Sequence, residues 1–533
     1  MNNKRLFEFI DSLSFILFFI IVYKKIGSVG AGILGASMLL YYLIFILFID
    51  GVGNTMARMV AVRVHRGFKE NAKKIFGYVM LYNFFIGALF LVLFVSISTA
   101  LSNALFKDDT TSAVICLTGL LFLIHGFSHN IKCYYIGCGG HIILTVADII
   151  RAVLLPVGAV FALDIFSDYG TKVAALKNND IWVGVYGAMG ALLLICAVML
   201  LRLLILLVCI RSLIKQDNYS FNEVRTKDGF KTFMRSFLPE YVKYIRSNLF
   251  PILVLFVSMM IFLRVNFQLG AEPAELYSKL GFILGPGMAI TLFAIRVYSG
   301  YIQMIYSKLR SSHKKEDKKG LVSRYNSYAK NSLIIAFPAF VAVTVFSKQM
   351  CLNVFGCQNE EIFTLALVAG FVFLFAAIDG FFTAGLKALG YDMINLLGFA
   401  LGFVAALIYI LVAGKTGVKP MAYVISLLIF YVLGMLFHGF YALSYIGVKT
   451  YDVGAKAVKI LIASASMFIV ELILVKLISM NAVVIIISAL LGFIIYLTVF
   501  VAIRGLNQKE LGNLQGTFIY FPFRFLAGLF HVR

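Results

Sequence analysis

Apolar residues run in stretches of bilayer length from Leu6 to Arg504, separated by short polar breaks. About 20 consecutive apolar residues cross a membrane as a helix. A barrel would instead alternate polarity over strands of about 10 residues, so the pattern predicts helices. It predicts a first block of six: Leu6–Tyr23, Gly30–Ile49, Ile75–Ile97, Ala113–Ile136, His141–Leu163 and Trp182–Ile210. A polar linker, 211–240, leads to a second block of Tyr241–Leu263, Leu276–Ile305, Ser332–Phe346, Ile362–Leu386, Asp392–Ala413 and Lys419–Tyr445. Ala457–Ile478 and Ala482–Arg504 complete fourteen, before a tail from 505 to 533.

The two blocks carry traces of a repeat. FIDGVGNTMARMVAVRVHRGFKEN (Phe48–Asn71) and FAIRVYSGYIQMIYSKLRSSHKKED (Phe293–Asp317), about 246 residues apart, both pass from a helix broken by small residues into a basic loop. IGCGGHIIL (Ile136–Leu144) recurs as LKALGYDMI (Leu386–Ile394) at an offset of about 250. Six helices return the chain to its starting side, so such repeats are parallel. Transporter folds are commonly built from repeats around a central site.

Composition agrees: 61% of the 533 residues are hydrophobic and 14% charged, against about a quarter charged in soluble domains. The 47 Lys and Arg outnumber 25 Asp and Glu, yet no soluble basic face exists for nucleic acid. With the N-terminus inside, about 30 basic loop residues fall on the cytoplasmic side and about 8 outside, the bias that orients membrane proteins. Both termini are therefore expected in the cytoplasm, with the N-terminal segment retained as the first helix. The tail pairs a capping pattern, Asn507 to Glu510, with FIYFPFRFLAGLF, and is expected to lie along the inner membrane surface. Gly51, Gly53, Gly285, Pro286 and Gly287 are candidate flexible points or close-packing positions. The seven cysteines form no CxxC pair; Cys351 and Cys357 share a short outer loop where oxidation could join them.

Several segments resemble the multidrug/oligosaccharidyl-lipid/polysaccharide exporter superfamily, in its polysaccharide-biosynthesis branch of stage V sporulation protein B and lipid II flippases. They are KKIGSVGAGILG (Lys24–Gly35), RGFKENAKK (Arg66–Lys74), AFPAF (Ala336–Phe340), GLKALGYDMINLL (Gly385–Leu397) and RGLNQKELGNL (Arg504–Leu514). The resemblance rests on their order and spacing and covers nearly the whole chain. It implies an all-α polytopic protein with two six-helix lobes forming a V-shaped cleft, plus two C-terminal helices. It also implies a polyprenyl lipid carrying sugars through a phosphate or pyrophosphate as cargo. The acidic residue often found near the end of the family's seventh helix is absent: FLRVNFQLG supplies Arg264 and Asn266.

Ionisable residues within membrane helices usually face a cavity or a partner. Those within or at the ends of the predicted helices include Asp11, Asp50, Arg58, Asp148, Arg151, Arg246, Arg264, Arg296, Asp379, Lys387 and Glu471. Arg296 lies about ten residues, roughly 15 Å, into its helix. Its guanidinium suits bidentate contact with a phosphate. Equally, its repeat equivalent Asp50 could pair with it as a gate between lobes, or it could snorkel. Lys243, Arg246 and Arg264 are further candidates for an anionic head group. Asp148 and Arg151, one turn apart, can neutralise each other. His125 and His129 have metal-compatible spacing but no third ligand. Asp379, the repeat equivalent of His129, is a candidate coupling residue.

No nucleophile–base set, paired carboxylates or phosphate loop supports an enzyme. No cofactor is expected, and transport would draw on an H+ or Na+ gradient, the membrane potential or substrate consumption. The reading is a flippase for lipid-linked saccharide in the plasma membrane, with lipids and envelope-biosynthesis enzymes as partners and no nucleic acid. A cation-coupled multidrug antiporter is the alternative.

Overall fold

The computed structural model describes residues 3–106, 109–216, 229–314, 318–446 and 450–505, with 520 and 524. Among these there is no strand. The helices are α1 (Asn3–Phe45), α2 (Gly51–His65), α3 (Lys69–Phe106), α4 (Ser112–Cys138), α5 (His141–Lys177), α6 (Ile181–Gln216), α7 (Phe230–Gln268) and α8 (Pro273–Phe282). They continue as α9 (Ala289–Lys314), α10 (Lys318–Val345), the single turn α11 (Ser347–Gln349), α12 (Glu360–Leu389), α13 (Asp392–Ala413), α14 (Pro420–Ile446), α15 (Thr450–Leu477) and α16 (Ala482–Ala502). The expected inner-surface tail falls almost entirely outside the described residues, as does 217–228 of the linker.

Among the described residues twelve helical runs are long and apolar enough to cross a membrane, and a pair bent by 48°, Pro273–Gly287 with Ala289–His313, makes a thirteenth. The first run, Phe9–His65, has 57 residues; at about 1.5 Å each it measures roughly 85 Å, far beyond a core of about 30 Å. Gly27, at φ 69° and ψ −177°, breaks its helical geometry. The expected segments Leu6–Tyr23 and Gly30–Ile49 lie on either side, which restores the count of fourteen. Many helices outrun their apolar cores: α3 has 38 residues and α7 has 39. The bend in the α8–α9 pair falls at the π-helical Ile283–Gly287, where Gly285 leaves helical geometry and Pro286 has no N–H to give.

The chain divides into two compact units, Leu13–Phe282 with Ala413–Val418, and Met1–Ser12 with Ile283–Val412 and Lys419–Arg533. The expected division at the 211–240 linker differs from this one, because α7 and α8 join the first unit. Phe230 and Phe233 pack on Tyr78 of α3, with ring centroids 5.5 and 5.3 Å apart. In the first unit α4 packs against α2, α3 and α6, and α5 lies along α6. In the second, α12 is central, contacting α9, α10 and α14, while α15 packs on α10 and α16.

Local sequence explains the helix ends. The Asn359 side chain accepts from Glu361 N at 2.9 Å, and Glu360 and Glu361 sit in the first turn of α12, favourable at the positive end of a helix. The recurring turn at Ile136–Leu144 and Leu386–Ile394 has one geometry in both places. Gly139 (φ 79°) and Gly390 (φ 89°) are left-handed caps. The next residue's N–H returns to Tyr135 O in one case and Leu386 O in the other, both at 2.9 Å.

Candidate functional site

In the first unit, a polar cluster surrounds Asp50, at the end of the π-helical segment Ile46–Asp50. Such segments are frequent at functional sites. Asp50 Oδ1 accepts from Asn54 Nδ2 at 2.9 Å and lies 3.3 Å from His129 Nε2; Oδ2 accepts from the Tyr244 hydroxyl at 2.5 Å. One carboxylate thus ties α2, α4 and α7 together. The Tyr241 hydroxyl donates to Leu47 O, and Arg58 lies 3.9 Å from Glu240, adding two further ties to α7.

His129 Nε2 is also 3.3 Å from Cys133 Sγ, and His125 Nδ1 is 2.5 Å from the Tyr41 hydroxyl. Among the described residues, no group of three or more His, Cys, Asp or Glu is placed to hold a metal.

Asp148, expected to neutralise Arg151, also meets two cations on neighbouring helices. Asp148 Oδ1 meets Arg202 at 2.9 Å (Nε) and 2.6 Å (NH2), and Oδ2 meets Lys132 Nζ at 3.1 Å. Arg202, only 4% exposed, also donates to Ser128 Oγ at 2.9 Å. Neither Arg202 nor Lys132 was anticipated; the signal was an arginine inside the apolar run LLRLL.

Lys243, Arg246 and Arg264 all lie on α7. Arg264 is 18 residues beyond Arg246, about 27 Å along the helix, so the two cannot grip one phosphate. Asn266 uses its carboxamide to hold the segment between α13 and α14: Nδ2 donates to Val418 O at 2.9 Å and Oδ1 accepts from Val418 N at 3.1 Å.

In the second unit Arg296 on α9 donates to Asp11 Oδ2 at 2.7 Å. Within its own unit Arg296 meets Asp11, and within the other Asp50 meets His129. Arg296 keeps 42% of its side chain exposed although it lies within an apolar helix. Phe9 and Phe293 stack edge-on beside it at 6.5 Å.

Asp379 on α12 is buried, its Oδ1 2.6 Å from Nδ1 of the buried His438 on α14. His438 Nε2 is 3.1 Å from Asn395 O on α13. That geometry satisfies both ring nitrogens and can hold or pass a proton. The sequence reading missed His438, whose only signal was a histidine in an apolar helix. Glu471 on α15 is fully buried against Gly492, and neither of its oxygens has a hydrogen-bond partner among the described residues. Lys387 lies in the last turn of α12. Cys351 and Cys357 are separate, buried thiols, not a disulfide.

No family model matches the chain, and no curated protein matches it. Solved structures do. An inward-facing multidrug resistance MATE family transporter of the MOP superfamily is 13% identical, with a TM-score of 0.61 over 82% of this chain and 95% of its own. The lipid II flippase MurJ in an inward closed conformation is 14% identical, with a TM-score of 0.58 over 93% and 98%. An outward-facing MATE transporter of the same superfamily is 13% identical, with a TM-score of 0.53 over 84% and 94%.

Proposed function

We propose that this protein, which has the all-α polytopic fold shared by MOP-superfamily transporters, is an alternating-access flippase for polyprenyl phosphate- or pyrophosphate-linked saccharide. The observation that carries the reading is Arg296: a half-exposed guanidinium within a membrane helix, oriented by Asp11 at 2.7 Å. Arginine binds a phosphate in a planar, bidentate way. A drug cation would be repelled there. The wider coverage of the lipid II flippase match, 93% of this chain against 82% and 84% for the MATE matches, agrees with two helices beyond a twelve-helix core.

In this reading Lys243 and Arg246 attract the anionic head group from the cytoplasm, and Arg264, near the other end of α7, meets it on the way out. The Asp379–His438 pair couples transport to a proton gradient. The protein acts in the plasma membrane with both termini cytoplasmic, does no covalent chemistry, and works beside the envelope enzymes that make and use its cargo.

The second reading, a cation-coupled drug antiporter, is favoured by the buried Asp379 and by the TM-score of 0.61 to a MATE transporter. Depletion of the protein from its host separates the two. The flippase reading expects polyprenyl-linked saccharide to accumulate in the inner leaflet, reversed by the intact protein and not by Arg296→Ala. Unchanged lipid intermediates with heightened sensitivity to cationic dyes would establish the antiporter instead.

A further inference from the structure

A cavity of about 160 Å³ opens where α2 ends and α3 and α7 begin. Arg63 and Lys74 line it together with Asn71, Thr232 and Ser236, and among the described residues no carboxylate does. Glu70, the nearest acid along α3, is 3.8 Å from Lys73. The lining therefore carries two positive charges and several neutral hydrogen-bonding groups.

The backbone adds to that field. Asn71 and Thr232 belong to the first turns of α3 and α7, where the helix dipole favours an anion. Gly229 precedes α7 and offers no side-chain cap. Arg63 is steadied by donation from NH1 to Met59 O at 3.3 Å.

The cavity's other wall is apolar, built from Ile75, Tyr78 and Phe233. Beyond Lys74, α3 presents exposed Leu81 and Phe85. A charged pocket that runs into an exposed apolar helix face matches an amphiphile, with its phosphate in the pocket and its chains along α3.

We infer that this cavity binds the phosphate group of an anionic lipid and thereby clamps α7 to α2 and α3. The inference goes beyond the flippase reading and holds whichever cargo the protein moves. A lipid seated there acts as a fixed structural ligand, because the cavity is bounded by helices of one compact unit.

The test uses the full chain in detergent, with phosphatidylglycerol and phosphatidylcholine titrated separately and bound lipid counted by native mass spectrometry. The wild type is expected to bind phosphatidylglycerol in preference to phosphatidylcholine. Arg63→Gln with Lys74→Gln should weaken that binding about tenfold or more, as expected for loss of hydrogen bonds to a charged group. Ser236→Phe, which keeps both cations and fills the cavity, should do the same. Undiminished binding in the double variant overturns the site. Undiminished binding in Ser236→Phe reduces it to surface charge and overturns the cavity. Displacement by millimolar inorganic phosphate would make the ligand a free phosphate and overturn the lipid.

Discussion

Asp379 Oδ1 and His438 Nδ1 meet at 2.6 Å between α12 and α14, and Asn395 O lies 3.1 Å from the ring's other nitrogen. Each group is buried, so each depends on the other. Removing one partner of a buried pair leaves an uncompensated polar group and costs about 3–5 kcal/mol. His438→Leu is therefore expected to destabilise the protein by about that much. Asp379→Leu with His438→Leu should cost less than the two single changes summed. Unfolding of the four species in one detergent measures the coupling, and strict additivity would mean no functional pair.

Arg296→Ala should abolish transport with expression unchanged, because the guanidinium and not the fold is lost. Asp11→Asn tests the tether. Transport should fall partway, since Arg296 keeps its charge and loses its orientation. The inner-leaflet store of polyprenyl-linked saccharide reports both, and full activity of Arg296→Ala would remove the residue from the site.

Gly32 and Gly281 allow α1 and α8 to cross at backbone contact: a Cβ on the first would strike Tyr277 O, and one on the second would strike Ser28 O. Ser28 Oγ and Ser278 Oγ are 2.7 Å apart at the same crossing. Gly32→Ala or Gly281→Ala should each destabilise by about 1–3 kcal/mol, the usual cost of overpacking. Ser28→Cys with Ser278→Cys should oxidise to a disulfide, detected by peptide mass spectrometry. Failure to cross-link would place the helices farther apart than described.

Arg202 is the buried centre of a network with Asp148, Lys132 and Ser128. Arg202→Met should cost about 3 kcal/mol, since it removes the most buried partner of Asp148. Arg151→Met should cost less. The ranking of melting temperatures checks this, and the reverse order would make Arg151 the principal partner of Asp148.

Burial pushes the Cys351 thiol up to about 12 from the usual 9.0. Below that value the thiol keeps its proton, and the thiolate is the reactive form. Maleimide should therefore leave Cys351 unmodified at neutral pH in the folded protein and modify it after denaturation. Rapid modification of the native chain would contradict its burial.

Much of the architecture was legible because the bilayer demands long apolar runs and because glycine caps mark helix ends, as at Gly139 and Gly390. Partnerships were not. Asp148 pairs with Arg202, 54 residues away, because side chains on neighbouring helices face each other in the interior. Asp50 meets His129 and Arg296 meets Asp11, partners that the repeat offset did not indicate. Ser28 and Ser278 are in contact 250 residues apart, and nothing in the sequence singled them out.

The Asp11–Arg296 bond spans 285 residues of chain. At roughly 5–20 residues per second of synthesis, Asp11 emerges about 15 to 60 seconds before its partner. During that interval the Asp11 carboxylate has no Arg296 to meet it. The first helix is therefore made well before the arginine on α9 that pairs with it. A chain truncated before Arg296 would carry a first helix more easily extracted from the membrane than that of the complete protein.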